Sequence, residues 1–154
     1  MFEFLNIKHS KLIQNSEFEI EIMSILGIDY GVKRVGLALA ASPIDLPLPY
    51  KVIANKGEAA LLAELKKIVE EERVSEAVVG WPLTESGELG REAAAVRRLV
   101  VSLRDQLSIK VETLDERYSS RLADQMSQEQ GVPRDVGAAM IILDDYLKSL
   151  MIDK

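Results

Sequence analysis

From Ser24 onward the hydrophobic positions alternate between strand-like runs and helical spacing. The apolar runs Ile25–Ile28 and Val35–Ala41 flank a polar turn at 30–34, which predicts a hairpin of strands 25–29 and 35–41. Ser42 to Pro49 contains three prolines and reads as an irregular connection, followed by a short strand at Tyr50–Ala54. Residues 57–72 carry Ala60, Leu61, Leu65, Ile68 and Val69 on one side and Glu and Lys elsewhere, an amphipathic helix. Ala77-Val78-Val79-Gly80 is a buried strand ending at Trp81-Pro82. A polar loop, Thr84–Glu88, leads to a helix from Gly90 to about Leu107 with Ala94, Val96, Leu99, Val100 and Leu103 apolar. Ile109–Leu114 forms the next strand. A helix at 119–129, the break Gly131-Val132-Pro133 and a last helix to about Met151 complete the pattern. The order β-β-β-α-β-α-β-α-α predicts an α/β domain: a mixed central sheet, led by antiparallel hairpin strands and flanked by helices.

Residues 1–22 follow neither period, although Phe2, Phe4, Leu5, Ile7, Leu12 and Ile13 are apolar. They read as a peripheral N-terminal extension, with the domain itself spanning 23–154. At 154 residues the chain is long enough for one continuous core, and 47% hydrophobic with 29% charged residues is a globular composition. No apolar run reaches membrane-spanning length, and the amino terminus lacks the basic-then-apolar order of a secretory signal. No membrane association is expected, and a cytoplasmic location is.

The residue types that are missing narrow the chemistry. There is no cysteine, which excludes thiolate metal sites and thiol nucleophiles, and the single histidine, His9, lies in the extension. An enzyme built on this domain must therefore work with carboxylates, lysines, hydroxyls and a metal ion rather than with an imidazole base. Three places offer carboxylates at strand ends or helix starts, where open α/β sheets form their sites. Asp29 closes the first strand, Asp115 and Glu116 close the strand that begins at Ile109, and Asp135 opens the last helix. Asp29 is the most telling of them, because a carboxylate following Ile-Leu-Gly-Ile is costly without a partner. Position alone leaves structural roles open for the others: Asp135 as a first-turn acid favoured by the helix dipole, and Asp115 or Glu116 as a helix cap or a partner of Arg117. If the acids share a site, a hard divalent cation such as Mg²⁺ or Mn²⁺ is the expected cofactor, and hydrolysis of a phosphodiester the expected reaction. The small Ala138 and Ala139, on the Asp135 side of the last helix, are expected to let it approach the sheet and bring Asp135 near Asp29. The net charge of −6 argues against a general nucleic-acid coat protein but not against a nuclease, whose clustered acids lower the net charge themselves.

The segment Gly27-Ile28-Asp29-Tyr30-Gly31-Val32-Lys33-Arg34-Val35-Gly36 resembles the opening motif of the YqgF/RuvX family, described both as Holliday-junction resolvases and as pre-16S rRNA nucleases. Three later stretches resemble the same family in the same order: Val78-Val79-Gly80-Trp81-Pro82-Leu83 with Gly87, Asp115-Glu116-Arg117-Tyr118-Ser119-Ser120, and Asp135-Val136-Gly137-Ala138-Ala139 with Ile142-Leu143 and Tyr146-Leu147. Each motif alone is weak; four in order are specific. The resemblance implies an RNase H-like fold and a metal-dependent phosphodiesterase whose catalytic and metal-holding acids are Asp29, Glu116 and Asp135. It makes Lys33, Arg34 and Arg117 candidates for contacts to substrate phosphates, and precursor rRNA or branched DNA the expected partner. The stretch 127–134 departs from the family, many of whose members are rich in lysine and arginine there. A symmetric cut of a four-way junction favours a two-fold homodimer, whereas an RNA-end processor can act alone. Two other classes stay open: a domain of a sugar-kinase or actin-like ATPase, whose phosphate hairpin also opens Asp-x-Gly, and a catalytically idle RNA-binding factor.

Overall fold

The structure is a computed structural model, and it describes residues 22–82, 91–115 and 119–152, the side chains of 119–122 excepted. Residues 1–21 of the expected extension 1–22, most of the loop expected at 80–87, and Glu116 and Arg117 lie outside the described residues. In chain order the elements are β1 (Ser24–Asp29), β2 (Arg34–Ala41), β3 (Leu48–Ala54), α1 (Glu58–Glu71), β4 (Val74–Trp81), α2 (Arg91–Gln106), β5 (Lys110–Asp115), α3 (Ser119–Gln130) and α4 (Arg134–Ile152). The sheet runs β3-β2-β1-β4-β5. β1, β2 and β3 pair antiparallel, while β4 lies parallel to β1 and β5 parallel to β4. This is the mixed sheet that the element order predicts.

Element limits differ from the sequence expectation where tertiary pairing overrides local signals. β3 begins at Leu48 rather than Tyr50 and so includes Pro49. Proline is tolerated there because β3 is an edge strand, and the register shifts beside it between Leu37 and Ala38. β4 begins at Val74 rather than Ala77, since Ser24 and Ile25 of β1 supply partners for Val74 and Glu76. In α1 the buried face is Leu61, Leu62, Leu65 and Ile68, with Ala60 exposed. In α2 Ala93 takes the buried place expected for Ala94. Both are one-position shifts at the border of an apolar stripe, where a methyl group contributes little either way.

Strand alternation divides the core between the two faces of the sheet. Leu26, Ile28, Val35, Leu37, Leu39, Ala77, Val79 and Val111 pack with the buried stripes of α1 and α2. Ala38, Ala40 and Val78 pack with Ala139, Ile142, Leu143 and Tyr146 of α4 on the other face, and α3 lies against α4. The second face is built of small residues. A Cβ at Gly27 would stand 2.7 Å from the Ala139 carbonyl oxygen, so the α4 backbone rests almost directly on β1. At its far end α4 is tied to the sheet by the Tyr146 hydroxyl, which donates to Glu76 Oε1 of β4; Lys110 Nζ lies 3.5 Å from the same oxygen.

One acid on α4 works against it. Burial and then the charge of Asp144 push the Asp145 carboxyl above its ordinary value, with Lys148 pulling the other way. A raised pKa in the folded state means that the fold binds the proton more tightly than the unfolded chain does. Stability therefore falls as pH rises through the window above the ordinary carboxylate value. Asp145→Asn is expected to raise the thermal midpoint at neutral pH, with the advantage shrinking to nothing on acidification; a constant difference between pH 3 and pH 8 would refute it.

Candidate active site

The carboxyl ends of β1, β4 and β5 lie at one rim of the sheet, and the β1–β2 turn crosses it. Asp29 is the last residue of β1, and its ladder partner on β2 is Gly36. Gly27, two residues earlier on the same strand, faces α4, so the pleat puts Asp29 on the α4 side as well. The α4 helix begins just beyond Pro133, whose carbonyl accepts from Gly137 N at 2.9 Å, and Asp135 stands in its first turn. Its approach to the sheet is set by Gly36: any Cβ there would overlap the carbonyl of Asp135 itself. Asp135 is thus seated on the residue that pairs with Asp29. The Asp135 backbone and the end of β1 therefore lie at one corner of the rim.

Arg34 opens β2 beside this corner. Its Nε donates to Asp135 Oδ2 at 3.2 Å, with the guanidinium side chain 64% exposed and the carboxylate side chain 29% exposed. An exposed pair of this kind contributes little stability. It does orient Asp135 and offset part of the negative charge collected at the rim. Lys33, at the tip of the turn, is exposed. Arg134, the cation of the otherwise uncharged end of the 127–134 stretch, is engaged by Asp124 Oδ1 at 2.7 Å.

Asp115 is separated from the other acids by the pleat. Val111 packs into the α1/α2 core and Leu114 against the α4 cluster, so position 115 belongs to the α1/α2 face, opposite Asp29. Of the adjacent pair Asp115-Glu116, the described residue is therefore on the wrong side to join Asp29 and Asp135. Among the described residues no group of three acids or histidines is arranged to hold a metal ion. The donor chemistry nonetheless fits a hard cation: the side chains at this corner are carboxylates, and no cysteine or described histidine competes.

Asn55 belongs to none of the sequence motifs, yet it holds the rim together. Its backbone N–H donates to the Lys33 carbonyl at 2.9 Å and its Nδ2 to the Gly31 carbonyl at 2.9 Å, while its Oδ1 accepts from Gly57 N at 3.2 Å. One side chain thus ties the turn that carries Lys33 and Arg34 to the start of α1. The only local signal is an Asn two places before a glycine that closes a strand-to-helix connection; Gly57 has φ 115°. Asn55→Ala removes two of these bonds and should lower stability by about 1–2 kcal/mol. Asn55→Asp keeps the acceptor for Gly57 N–H but sets a carboxylate oxygen against the Gly31 carbonyl, so it should lose at least as much; a smaller loss in urea unfolding would show that the Gly31 bond contributes nothing.

Strand order and corner together define an α/β fold whose acids gather at the carboxyl rim, and comparison with known proteins gives that class its name. Thermus thermophilus RuvC, solved with a Holliday junction substrate, superposes with a TM-score of 0.55 over 84% of this chain and 96% of its own, at 16% identity. The fowlpox virus resolvase, solved with Holliday junction DNA, superposes with a TM-score of 0.56 over 83% and 99%, at 11% identity. Likenesses at such low identity establish the fold, which is RNase H-like. In sequence, the family model described as "RuvX: Holliday junction resolvase" matches residues 23–149, and the chain belongs to that family. A protein of Chloroflexus aggregans named "Putative pre-16S rRNA nuclease" is 38% identical over 131 residues, 80% of this chain and 92% of its own. One of the same name from Maridesulfovibrio salexigens is 36% identical over 132 residues, 81% of this chain and 98% of its own. No described helix is long and apolar enough to cross a membrane.

Proposed function

We propose that this chain is a divalent-metal-dependent endonuclease that trims precursor 16S rRNA, with Asp29, Glu116 and Asp135 as the acids that hold the ion and Lys33, Arg34 and Arg117 as contacts to substrate phosphates. The observation that carries the reading is the seating of Asp135 on Gly36, the ladder partner of Asp29. Two carboxylates brought to one corner repel each other, and a divalent cation shared between them would offset that repulsion. The placement of Asp115 on the opposite face leaves Glu116 as the acid of its pair for this role. The names of the relatives support precursor rRNA as substrate.

The chemistry that Mg²⁺ or Mn²⁺ supplies when bound is Lewis acidity toward the phosphate oxygens and toward water. The chain's own part is to hold the substrate in line. Arg34 fixes Asp135 from β2, and Lys33 presents a cation at the tip of a turn that Asn55 keeps in place. With no histidine or cysteine in the domain, no other side chain competes for a general-base role near neutral pH.

A second reading, a Holliday-junction resolvase on branched DNA and then a homodimer, is favoured by the description of the matched family. The two share one mechanism and part on substrate. Incubation with a precursor rRNA segment and with a four-way DNA junction, each in Mg²⁺ and in Mn²⁺, separates them. The expected result is cleavage of the RNA, lost in Glu116→Gln and unchanged in His9→Ala. Junction cutting without action on RNA would establish the second reading, and cleavage that persists in excess EDTA would overturn both.

A further inference from the structure

The rim has a second side. Behind the β1–β2 turn, facing α1 and α2 rather than α4, lies a cavity of about 220 Å³ with Leu61 and Leu99 among its lining residues. Those two are almost completely buried and close its floor. Tyr30 and Asn55 line it on the sheet side and Glu58 and Arg98 on the helix side. Drug-sized ligand sites run upward of roughly 300 Å³, so this one suits a single flat ring system.

Its polar groups are held in place. Ser102 Oγ donates to Glu58 Oε1 at 2.8 Å, and Arg98 Nε stands 4.0 Å from Glu58 Oε2. Asn55 is fixed by its bonds to Gly31 and Gly57. A tyrosine ring, a carboxylate acceptor and a guanidinium donor together match a nucleobase, whose faces stack on aromatic rings and whose edges carry both N–H donors and carbonyl acceptors.

The position matters as much as the lining. Tyr30 directly follows Asp29 in the chain, and it packs against the α1/α2 core while Asp29 belongs to the α4 face. A nucleic-acid strand with a phosphate at the Asp29 corner needs to cross only this one turn for a neighbouring base to enter the cavity. The exposed Lys33 and Arg34 border the crossing. We propose that the cavity lined by Tyr30, Glu58, Leu61, Leu99 and Arg98 takes one unpaired nucleobase next to the cleaved phosphodiester. This rests on the nuclease reading above and deepens it: the substrate is single-stranded at that nucleotide, because a base held in a duplex cannot leave its stack without cost.

The test is equilibrium binding of a labelled single-stranded oligoribonucleotide to the full chain in EDTA, scanned with one abasic nucleotide at each position. One register should lose about tenfold in affinity, the scale of a lost base-stacking contact. Ala95→Trp, which fills the cavity, should weaken the intact oligonucleotide by a similar factor and abolish the sensitivity to that register. Arg98→Ala, at an exposed side chain whose loss leaves the core intact, should reduce the same register effect should Ala95→Trp fail to fold. A flat abasic scan beside normal Mg²⁺-dependent cleavage would overturn the pocket and leave the nuclease standing. A clear register in a wild-type chain that never cleaves would support the pocket and overturn the nuclease.

Discussion

Asp29→Asn is expected to reduce cleavage by about a thousandfold or more, the several kcal/mol that a correctly placed metal ion contributes to phosphodiester hydrolysis. The same variant should unfold at a higher temperature than the parent in EDTA. It removes one of the like charges gathered at the rim. Addition of Mg²⁺ or Mn²⁺ should then stabilise the parent and leave the variant where it was. The pairing of opposite effects is the diagnostic part, since a residue needed only for folding would lower the midpoint and the activity together. An unchanged midpoint in EDTA with an unchanged metal-induced shift would show that Asp29 belongs to no shared site.

Among the described glycines, Gly36→Ala should be the most damaging. The new Cβ would overlap backbone atoms of Asp135 and Val136, which cannot rotate aside as a side chain can. Either α4 lifts from the sheet or the variant fails to fold. We expect a loss of about 3 kcal/mol, or roughly 10 °C in thermal midpoint for a chain of this size. Where the variant stays folded at low temperature, the displaced Asp135 should cost about a hundredfold in rate, as misplacement of a reacting group by an ångström does. Gly137→Ala is the control on the same helix. Its Cβ would meet Ala123 at ordinary contact distances, the nearest 3.6 Å away. With the helical cost of glycine removed, it should gain up to about 1 kcal/mol. Equal midpoints for the two variants would mean that the seating of α4 on Gly36 does not position Asp135.

Asp29 and Asp135 stand out in the sequence as candidate acids. Asp29 betrays itself because a carboxylate at the end of an apolar strand needs a reason, and Asp135 because it stands just beyond a Gly-Val-Pro break. What the linear chain leaves open is whether they meet. Ala138 and Ala139 hint at a close helix, yet the decisive residues are Gly27 and Gly36, whose missing side chains read locally as turn or strand punctuation. Their purpose appears only once α4 is laid across them. Asn55 was invisible for a related reason. An asparagine in a polar connection is unremarkable until its three bonds to Gly31, Lys33 and Gly57 are seen to fasten one turn to one helix.

The sequence by itself determined the elements, their order, the absence of thiol chemistry, and the family. Period, turn chemistry and residue type are local properties, and a motif read in order needs no third dimension. Only the tertiary structure decided which face of the sheet Asp29 and Asp115 occupy. That choice depends on strand register, and a shift of one residue moves a side chain to the opposite face. The same register sends Asp115 to the α1/α2 side and Asp29 to the α4 side. It also puts Tyr30 over the cavity one residue beyond Asp29, because successive positions of an extended chain must point opposite ways.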